Sequence, residues 1–242
     1  MELTVIGYWG GYPEVGEACS GYLVQEGDFS LLLDCGSGVA SLLPRALGKA
    51  ELGAVWLSHY HFDHYCDGGA LLYGRLVQMQ LGNTQTPLFF YGPADSHLDE
   101  LRWEPYAKCH TYRDGEPFPV GPFRLETRLG QHPVPSHALR LTAGGKTLVY
   151  TADTAAFPEL VDFARGADLL LAECSFYAGM DGTAAGHMNA ADAGRLAREA
   201  GAGELVLTHL PHFGEVARLV EQARAEFTGP VSLARGLARY TL

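Results

Sequence analysis

Short apolar runs bounded by glycine, proline or aspartate recur along the chain. Each run is four to eight residues long and rich in leucine, β-branched or aromatic residues. Buried strands have this length and composition, so the pattern predicts strands, several of them buried on both faces. The predicted strands are LTVIG (3–7), GYLVQ (21–25), SLLLDCG (30–36), AVWLSH (54–59), PLFFYG (87–92), TLVYTAD (147–153), ADLLLAEC (167–174) and ELVLTH (204–209).

Helical patterns lie between the later strands. Asn189 is a suitable N-cap for a helix over 190–200, which Gly201 would end. A second helix is predicted over 215–227, where apolar residues recur on one face, and a third over 66–80. A strand-rich first half followed by alternating strands and helices predicts layered sheets with helices outside.

Six strand-like segments end on, or lead into, a histidine, aspartate or glutamate. Burying such charge in a core costs free energy unless the charge is paired, whereas reactive groups are commonly placed at the ends of strands on a rigid scaffold. Taken alone, each aspartate would be read as an ordinary turn residue or helix cap. The segments end at Asp34, at the stretch HYHFDH that begins with His59, and at His132, Asp153, Glu173 and His209.

The stretch HYHFDH at 59–64 is typical of a metal site, because imidazole and carboxylate groups are common ligands of zinc. His59 and His61 would point the same way in an extended chain, and a turn after His61 would aim Asp63 and His64 at a neighbouring position. Two adjacent ions need about six or seven protein ligands in addition to solvent. The candidates are His59, His61, Asp63, His64, His132, Asp153 and His209, with His137 open as an alternative to His132.

Length and charge limit the domain organisation and the classes of function that the chain can have. A chain of 242 residues fits a single domain over 1–242. Its net charge of −11 argues against a broad nucleic-acid surface, although bound metal would still allow a small anionic substrate. The five cysteines form no CxxC motif, and the N-terminus lacks the features of a signal peptide. We therefore expect a cytoplasmic protein with no membrane contact.

The motif H-x-H-x-D-H after a strand, with a preceding aspartate and later His, Asp and His, resembles the metallo-β-lactamase superfamily. The resemblance implies the α+β class and a four-layer αβ/βα sandwich, with two mixed β-sheets packed face to face and helices outside. The segments similar to its ribonuclease Z and phosphodiesterase branch are HPVPSHALR (132–140), LVYTADT (148–154), LLLAECSF (169–176), GHMNAADAGRLA (186–197) and LTHL (207–210). The opening TVIGYWGGYPEVGEACSGYLV resembles short hydrolases of the YhfI type.

Carried over to this chain, the resemblance implies two zinc ions, with manganese or iron as alternatives. The first ion would be held by His59, His61 and His132. The second would be held by Asp63, His64 and His209, and Asp153 would bridge the two. Asp34 would orient a ligand histidine, and His187 with Glu173 would form a proton-relay pair on the leaving-group side.

The function implied is a dinuclear zinc hydrolase, most simply a phosphodiesterase acting on a small phosphodiester. A water bridging the ions would be the nucleophile, Asp63 would take its proton, and His187 would donate a proton to the leaving oxygen. Only residues 133–152 separate His132 from Asp153, where tRNA-processing relatives carry a tRNA-gripping arm, so tRNA is not an expected partner.

Several alternatives stay open. They are lactonase- or arylsulfatase-type ester hydrolysis, an RNA 3′-processing endonuclease without the arm, and a non-catalytic metal-binding module. By analogy we expect a homodimer. Whether His212 and the loop GYWGGYP (7–13) contact the substrate is left open.

Overall fold

The computed structural model describes residues 1–48 and 50–242, which form fourteen strands and seven α-helices. The strands are β1 (Glu2–Gly7), β2 (Gly21–Glu26), β3 (Phe29–Leu33), β4 (Leu52–Trp56), β5 (Leu88–Gly92), β6 (Ala107–Thr111), β7 (Phe118–Val120), β8 (Phe123–Leu129), β9 (His137–Ala143), β10 (Lys146–Tyr150), β11 (Leu169–Glu173), β12 (Glu204–Thr208), β13 (Val231–Leu233) and β14 (Arg239–Thr241). The helices are α1 (Val39–Leu47), α2 (Phe62–Tyr65), α3 (Gly68–Gln80), α4 (Ser96–Glu100), α5 (Pro158–Ala164), α6 (Ala190–Ala200) and α7 (Ala217–Arg224), with a 3-10 turn at Thr183–Ala185.

The strands form two seven-stranded sheets with matching organisation. The first has the order β14-β1-β2-β3-β4-β5-β6, and the second has the order β13-β12-β11-β10-β9-β8-β7. In the first sheet the pairs from β14 to β3 are antiparallel and those from β3 to β6 are parallel. In the second sheet the pairs from β13 to β10 are parallel and those from β10 to β7 are antiparallel. The predicted pair of mixed sheets is confirmed.

Side-chain alternation explains the layers. In β3, Leu31 and Leu33 pack into the core between the sheets, and Leu32 packs on the other face against the α1 side chains Val39 and Leu43. The second sheet is covered on its outer face by α5, α6 and α7, which contribute residues such as Phe163, Leu196 and Leu219 to the core. Alternate residues of a strand face opposite sides, so each sheet buries both faces. The predicted sandwich with helices outside is confirmed.

The carboxyl ends of several strands lie at one edge of the sandwich. The strands β3 and β4 are parallel neighbours, as are β10, β11 and β12. The strand β8 runs in the same direction as β10, because both pair antiparallel with β9. Residues that follow these strands therefore meet at the same edge, which is the usual position of ligand sites in such sheets.

The predicted strands that end on candidate site residues are too long by one to three residues. The strand β3 stops at Leu33, β10 at Tyr150 and β12 at Thr208. The backbone turns into the left-handed region directly afterwards, with φ of 56° at Asp34, 49° at Ala152 and 52° at His209. A residue in this region cannot continue a strand, and non-glycine residues adopt it at an energetic cost.

The predicted helix over 190–200 is confirmed as α6. Asn189 and Asp192 form a capping box at its start, and Gly201 ends it in the left-handed conformation. The helices predicted over 66–80 and 215–227 are shorter, as α3 and α7. No helix in the described part of the chain has the length and apolar character needed to cross a membrane.

Candidate metal centre

The stretch HYHFDH has the backbone course that its sequence predicts. His61 is extended, with φ −69° and ψ 144°, and it precedes the short helix α2. Nε2 of His59 lies 3.2 Å from Nδ1 of His61, so the two rings meet on one side of the chain. The helical turn after His61 then directs Asp63 and His64 to a neighbouring position.

A first group of four donors consists of His59, His61, His132 and Asp153, and their donor atoms all lie within 4.8 Å of one another. Nε2 of His132 is 3.1 Å from Nδ1 of His61, and Nε2 of His59 is 3.8 Å from Oδ2 of Asp153. Tetrahedral ligands about 2.0–2.1 Å from a zinc ion are about 3.3 Å apart. The spacing of the three ring nitrogens therefore fits donors that surround one cation.

A second group consists of Asp63, His64, Asp153 and His209, again with all donor atoms within 4.8 Å. Nε2 of His209 lies 3.2 Å from Oδ2 of Asp63 and 3.2 Å from Oδ2 of Asp153. Nε2 of His64 lies 3.3 Å from Oδ1 of Asp153. Asp153 belongs to both groups, which is the arrangement expected of a carboxylate shared by two adjacent ions.

Two buried atoms support a bound cation. Nε2 of His64 and Oδ1 of Asp153 have no hydrogen-bond partner among the described residues. Buried polar atoms without partners are rare because each one costs free energy. A cation held within the second group would satisfy both atoms, so the residues present fit a metal site.

Asp34 contacts Nδ1 of His64, the ring nitrogen that does not belong to the donor group. Its buried carboxylate accepts hydrogen bonds from the Ser58 amide, the Ser58 hydroxyl, the Tyr150 hydroxyl and Nδ1 of His64, each at 2.8 Å. A carboxylate accepts here, so His64 carries its proton on Nδ1 and leaves Nε2 bare for a ligand.

Three more histidines are oriented by partners that the sequence interpretation missed. Nδ1 of His59 contacts the Ser58 hydroxyl at 2.9 Å, and Nδ1 of His209 contacts the Ser175 hydroxyl at 2.8 Å. Nδ1 of His132 donates to the Gly186 carbonyl at 3.1 Å. Each contact leaves Nε2 directed at the groups of donors. Two sequence features could have revealed these partners. They are the serine next to His59 and the serine that lies two positions after Glu173.

Glu173 and His187 form the predicted pair. Nδ1 of His187 lies 2.9 Å from Oε1 of Glu173, whose buried carboxylate also accepts from the amides of Thr154, Ser175 and Met188. Burial lowers the pKa of His187, but the hydrogen bond and charge of Glu173 outweigh burial and raise it to about 9. The His187 ring centroid is 5.1 Å from that of His132 and 5.3 Å from that of His209, so the pair borders both groups.

The two remaining open histidines lie outside the groups. His137 is buried, with its ring against Tyr112 at 5.3 Å between centroids, and it belongs to neither group of donors. His212 is stacked on Tyr12 and Trp9, and its Nε2 lies 2.7 Å from the Tyr12 carbonyl.

The loop 7–13 touches the candidate metal centre through its backbone. The amide of Gly11 donates to Oδ2 of Asp63 at 2.7 Å. A Cβ on Gly10 would lie 2.7 Å from Cε1 of His209, so the loop also packs closely on that ring. His212 therefore holds a loop that shapes the site, and the loop contributes a donor to a candidate ligand.

A family described as "Beta-lactamase superfamily domain" matches residues 30–210, which include all seven candidate ligands. The chain belongs to the β-lactamase superfamily. It is 47% identical over 237 residues to the probable metallo-hydrolase YhfI of Bacillus subtilis, covering 97% of each chain. The crystal structure of that metallo-β-lactamase fold protein superposes with a TM-score of 0.95 at 43% identity in the structural alignment, covering 99% of both chains. The predicted fold and YhfI-type resemblance are confirmed.

The chain is also similar to more distant proteins. A ribonuclease Z of Myxococcus xanthus is 27% identical, with 97% of this chain and 95% of that protein covered. A diphosphatase from the PhnP family superposes with a TM-score of 0.77 at 16% identity, covering all of this chain and 97% of the other, which shows a shared fold. Superfamily membership and the two groups of candidate ligands together identify a metal-dependent hydrolase.

Proposed function

We propose that the protein is a dinuclear zinc phosphodiesterase that acts on a small phosphodiester. The observation that carries the proposal is the meeting of two four-donor groups at Asp153. Zinc ions held by these two groups would acidify a bound water and stabilise negative charge on the oxygens of a phosphodiester. The ligand types favour zinc, since five imidazoles and two carboxylates suit it better than they suit calcium or magnesium.

Asp63 is the proposed acceptor of the proton from the attacking water. Its carboxylate is 12% exposed, and Oδ2 is fixed by the Gly11 amide. A carboxylate is ionised at neutral pH, so Asp63 can accept a proton during the reaction.

His187 is the proposed proton donor to the leaving oxygen. Its side chain is 18% exposed, so solvent and substrate can reach the ring. Nδ1 is committed to Glu173, which leaves Nε2 as the nitrogen available to a leaving oxygen. A raised pKa keeps the ring protonated at neutral pH, as a general acid requires.

The proposed substrate is smaller than a tRNA. Residues 137–150 form the two strands β9 and β10, joined at Gly144 and Gly145, and this hairpin accounts for most of the chain between His132 and Asp153. The alignment with the Myxococcus ribonuclease Z runs over 296 positions, so at least 54 of them have no counterpart in the 242 residues here. A net charge of −11 also disfavours a large polyanion.

Substrate comparison tests the proposal. Zinc-loaded protein should hydrolyse bis(p-nitrophenyl) phosphate faster than a matched lactone or aryl sulfate. Cyclic nucleotides, dinucleotides, short RNA and a tRNA precursor would then rank substrates by size, with the small phosphodiesters expected to have the highest kcat/KM. Preference for the lactone or the sulfate would overturn the phosphodiesterase assignment, and preference for the tRNA precursor would overturn the size argument.

A further inference from the structure

The hydroxyl of Ser175 lies between the proton-donor pair and a candidate metal ligand. Its Oγ is 3.0 Å from Oε2 of Glu173 and 2.8 Å from Nδ1 of His209. The amide of Ser175 also donates to Oε2 of Glu173 at 3.1 Å, which holds the serine backbone in place. A single hydroxyl therefore contacts residues with two different proposed roles.

The direction of these hydrogen bonds follows from the chemistry of the partners. The Glu173 carboxylate only accepts, so the Ser175 hydroxyl donates its proton to Oε2. A lone pair of Oγ then accepts from Nδ1–H of His209. This assignment removes the proton from Nε2 of His209, the atom that lies 3.2 Å from both Asp63 and Asp153.

We propose that Ser175 is a positioning residue that fixes His209 as a ligand of the second ion and joins it to the His187–Glu173 pair. The inference rests on the proposed two-ion function. Without the hydroxyl, Nδ1 of His209 loses this acceptor, and the ring is free to adopt the tautomer with hydrogen on Nε2. That tautomer cannot bind a metal through Nε2.

The first group of donors contains the same arrangement. The Ser58 hydroxyl donates to Asp34 and contacts Nδ1 of His59. Asp34 also binds His64 of the second group, so a change at Ser58 would disturb both groups. Among the described residues, Glu173 forms no hydrogen bond with a ligand of the first group. A change at Ser175, the partner of Glu173, should therefore affect only the second ion.

Zinc affinity of each site tests the proposal without reference to catalysis. Zinc would be titrated into chelator-treated protein against a chromophoric competitor, and thermal unfolding would be followed in parallel. Ser175→Ala should weaken the second ion by about 10- to 100-fold and leave the first ion unchanged. The control is Ser136→Ala, because Ser136 is buried and its hydroxyl bonds to nothing among the described residues. It should bind both ions as the wild type does.

A second pair of variants separates the hydroxyl from packing. Ser175→Thr and Ser175→Val have the same shape, so the threonine variant should retain the second ion and the valine variant should lose affinity for it. The proposal is overturned if Ser175→Ala and Ser175→Val bind both ions with wild-type affinity, or if both ions weaken equally. A wild-type protein that takes up fewer than two ions would instead refute the two-ion function itself.

Discussion

The two halves of the candidate metal centre are built in different ways. The loop 59–64 supplies four of the seven candidate ligands from six consecutive residues. The second half of the chain supplies His132, Asp153 and His209 singly, each after a different strand. The first arrangement depends on local backbone conformation, and the second depends on the order of strands in a sheet.

This difference decides what the sequence can predict. An extended segment followed by one helical turn is a local structure, so the convergence of His59 with His61 and the separate direction of Asp63 could be inferred from spacing alone. The distant donors could be recognised as strand-end residues and by family resemblance. Their mutual distances, however, depend on the order of β8 to β12 in the second sheet, which residue patterns do not specify.

Parts of the fold were missed for physical reasons. The helix α1 contains Pro44, which ordinarily argues against a helix interior, and α4 and α5 have five and seven residues, too few to show a helical period. The edge strands β13 and β14 have three residues each. The outer partners Ser58, Ser175 and Gly186 were missed because serine and glycine are common in every kind of loop.

Residue patterns also did not predict which residues have a left-handed backbone conformation. Asp34, Ala152 and His209 each have positive φ and lie in or beside the site. A φ of 49° at Ala152 is one that glycine adopts without cost, so the alanine at this position is strained. Strain of this kind is typical of functional sites, where surrounding contacts hold the backbone.

The largest effect is expected at the residue that joins the two regions. Asp153→Ala removes the only donor common to both groups, so we expect it to reduce zinc from two ions to one at most and to lower kcat/KM on the order of 10³- to 10⁴-fold. Zinc per chain and phosphodiesterase rate would be measured together. A variant that retained two ions would show that the regions are not joined through Asp153.

Removal of His187 should act on catalysis alone. His187→Ala is expected to keep both ions and lose about 10²- to 10⁴-fold in kcat, because a general acid contributes an effect of that size. The matched control is His137→Ala, since His137 is a buried histidine outside both groups. Loss of zinc in the His187 variant would reassign that residue as a ligand.

The charge of Glu173 should extend activity toward high pH. Glu173 raises the pKa of His187, so the protonated donor persists to higher pH in the wild type. In Glu173→Gln the pKa of His187 falls, and the alkaline limb of the kcat profile should move to lower pH. The profile would be recorded with zinc in excess, and an unchanged alkaline limb would remove Glu173 from the proton relay.

The smallest effect is expected at Ala152. Glycine would relieve about 1–2 kcal/mol of left-handed strain. It would also lose about 0.8 kcal/mol of methyl burial and about 0.4–1 kcal/mol through the freer unfolded chain. Ala152→Gly should therefore unfold in urea within about 1 kcal/mol of the wild type. Ala152→Val should be less stable by about 1–3 kcal/mol, since a branched side chain disfavours this backbone, and equal stability of the valine variant would contradict the strain argument.

A compact loop and three distant strand ends are proposed to hold two ions together, with Asp153 shared between them. Anomalous diffraction at the zinc edge from zinc-loaded crystals would locate these ions. Two peaks are expected about 3.5–4 Å apart, one among His59, His61 and His132 and the other among Asp63, His64 and His209, with Asp153 between them. A single peak, or two peaks that do not both contact Asp153, would contradict the proposal.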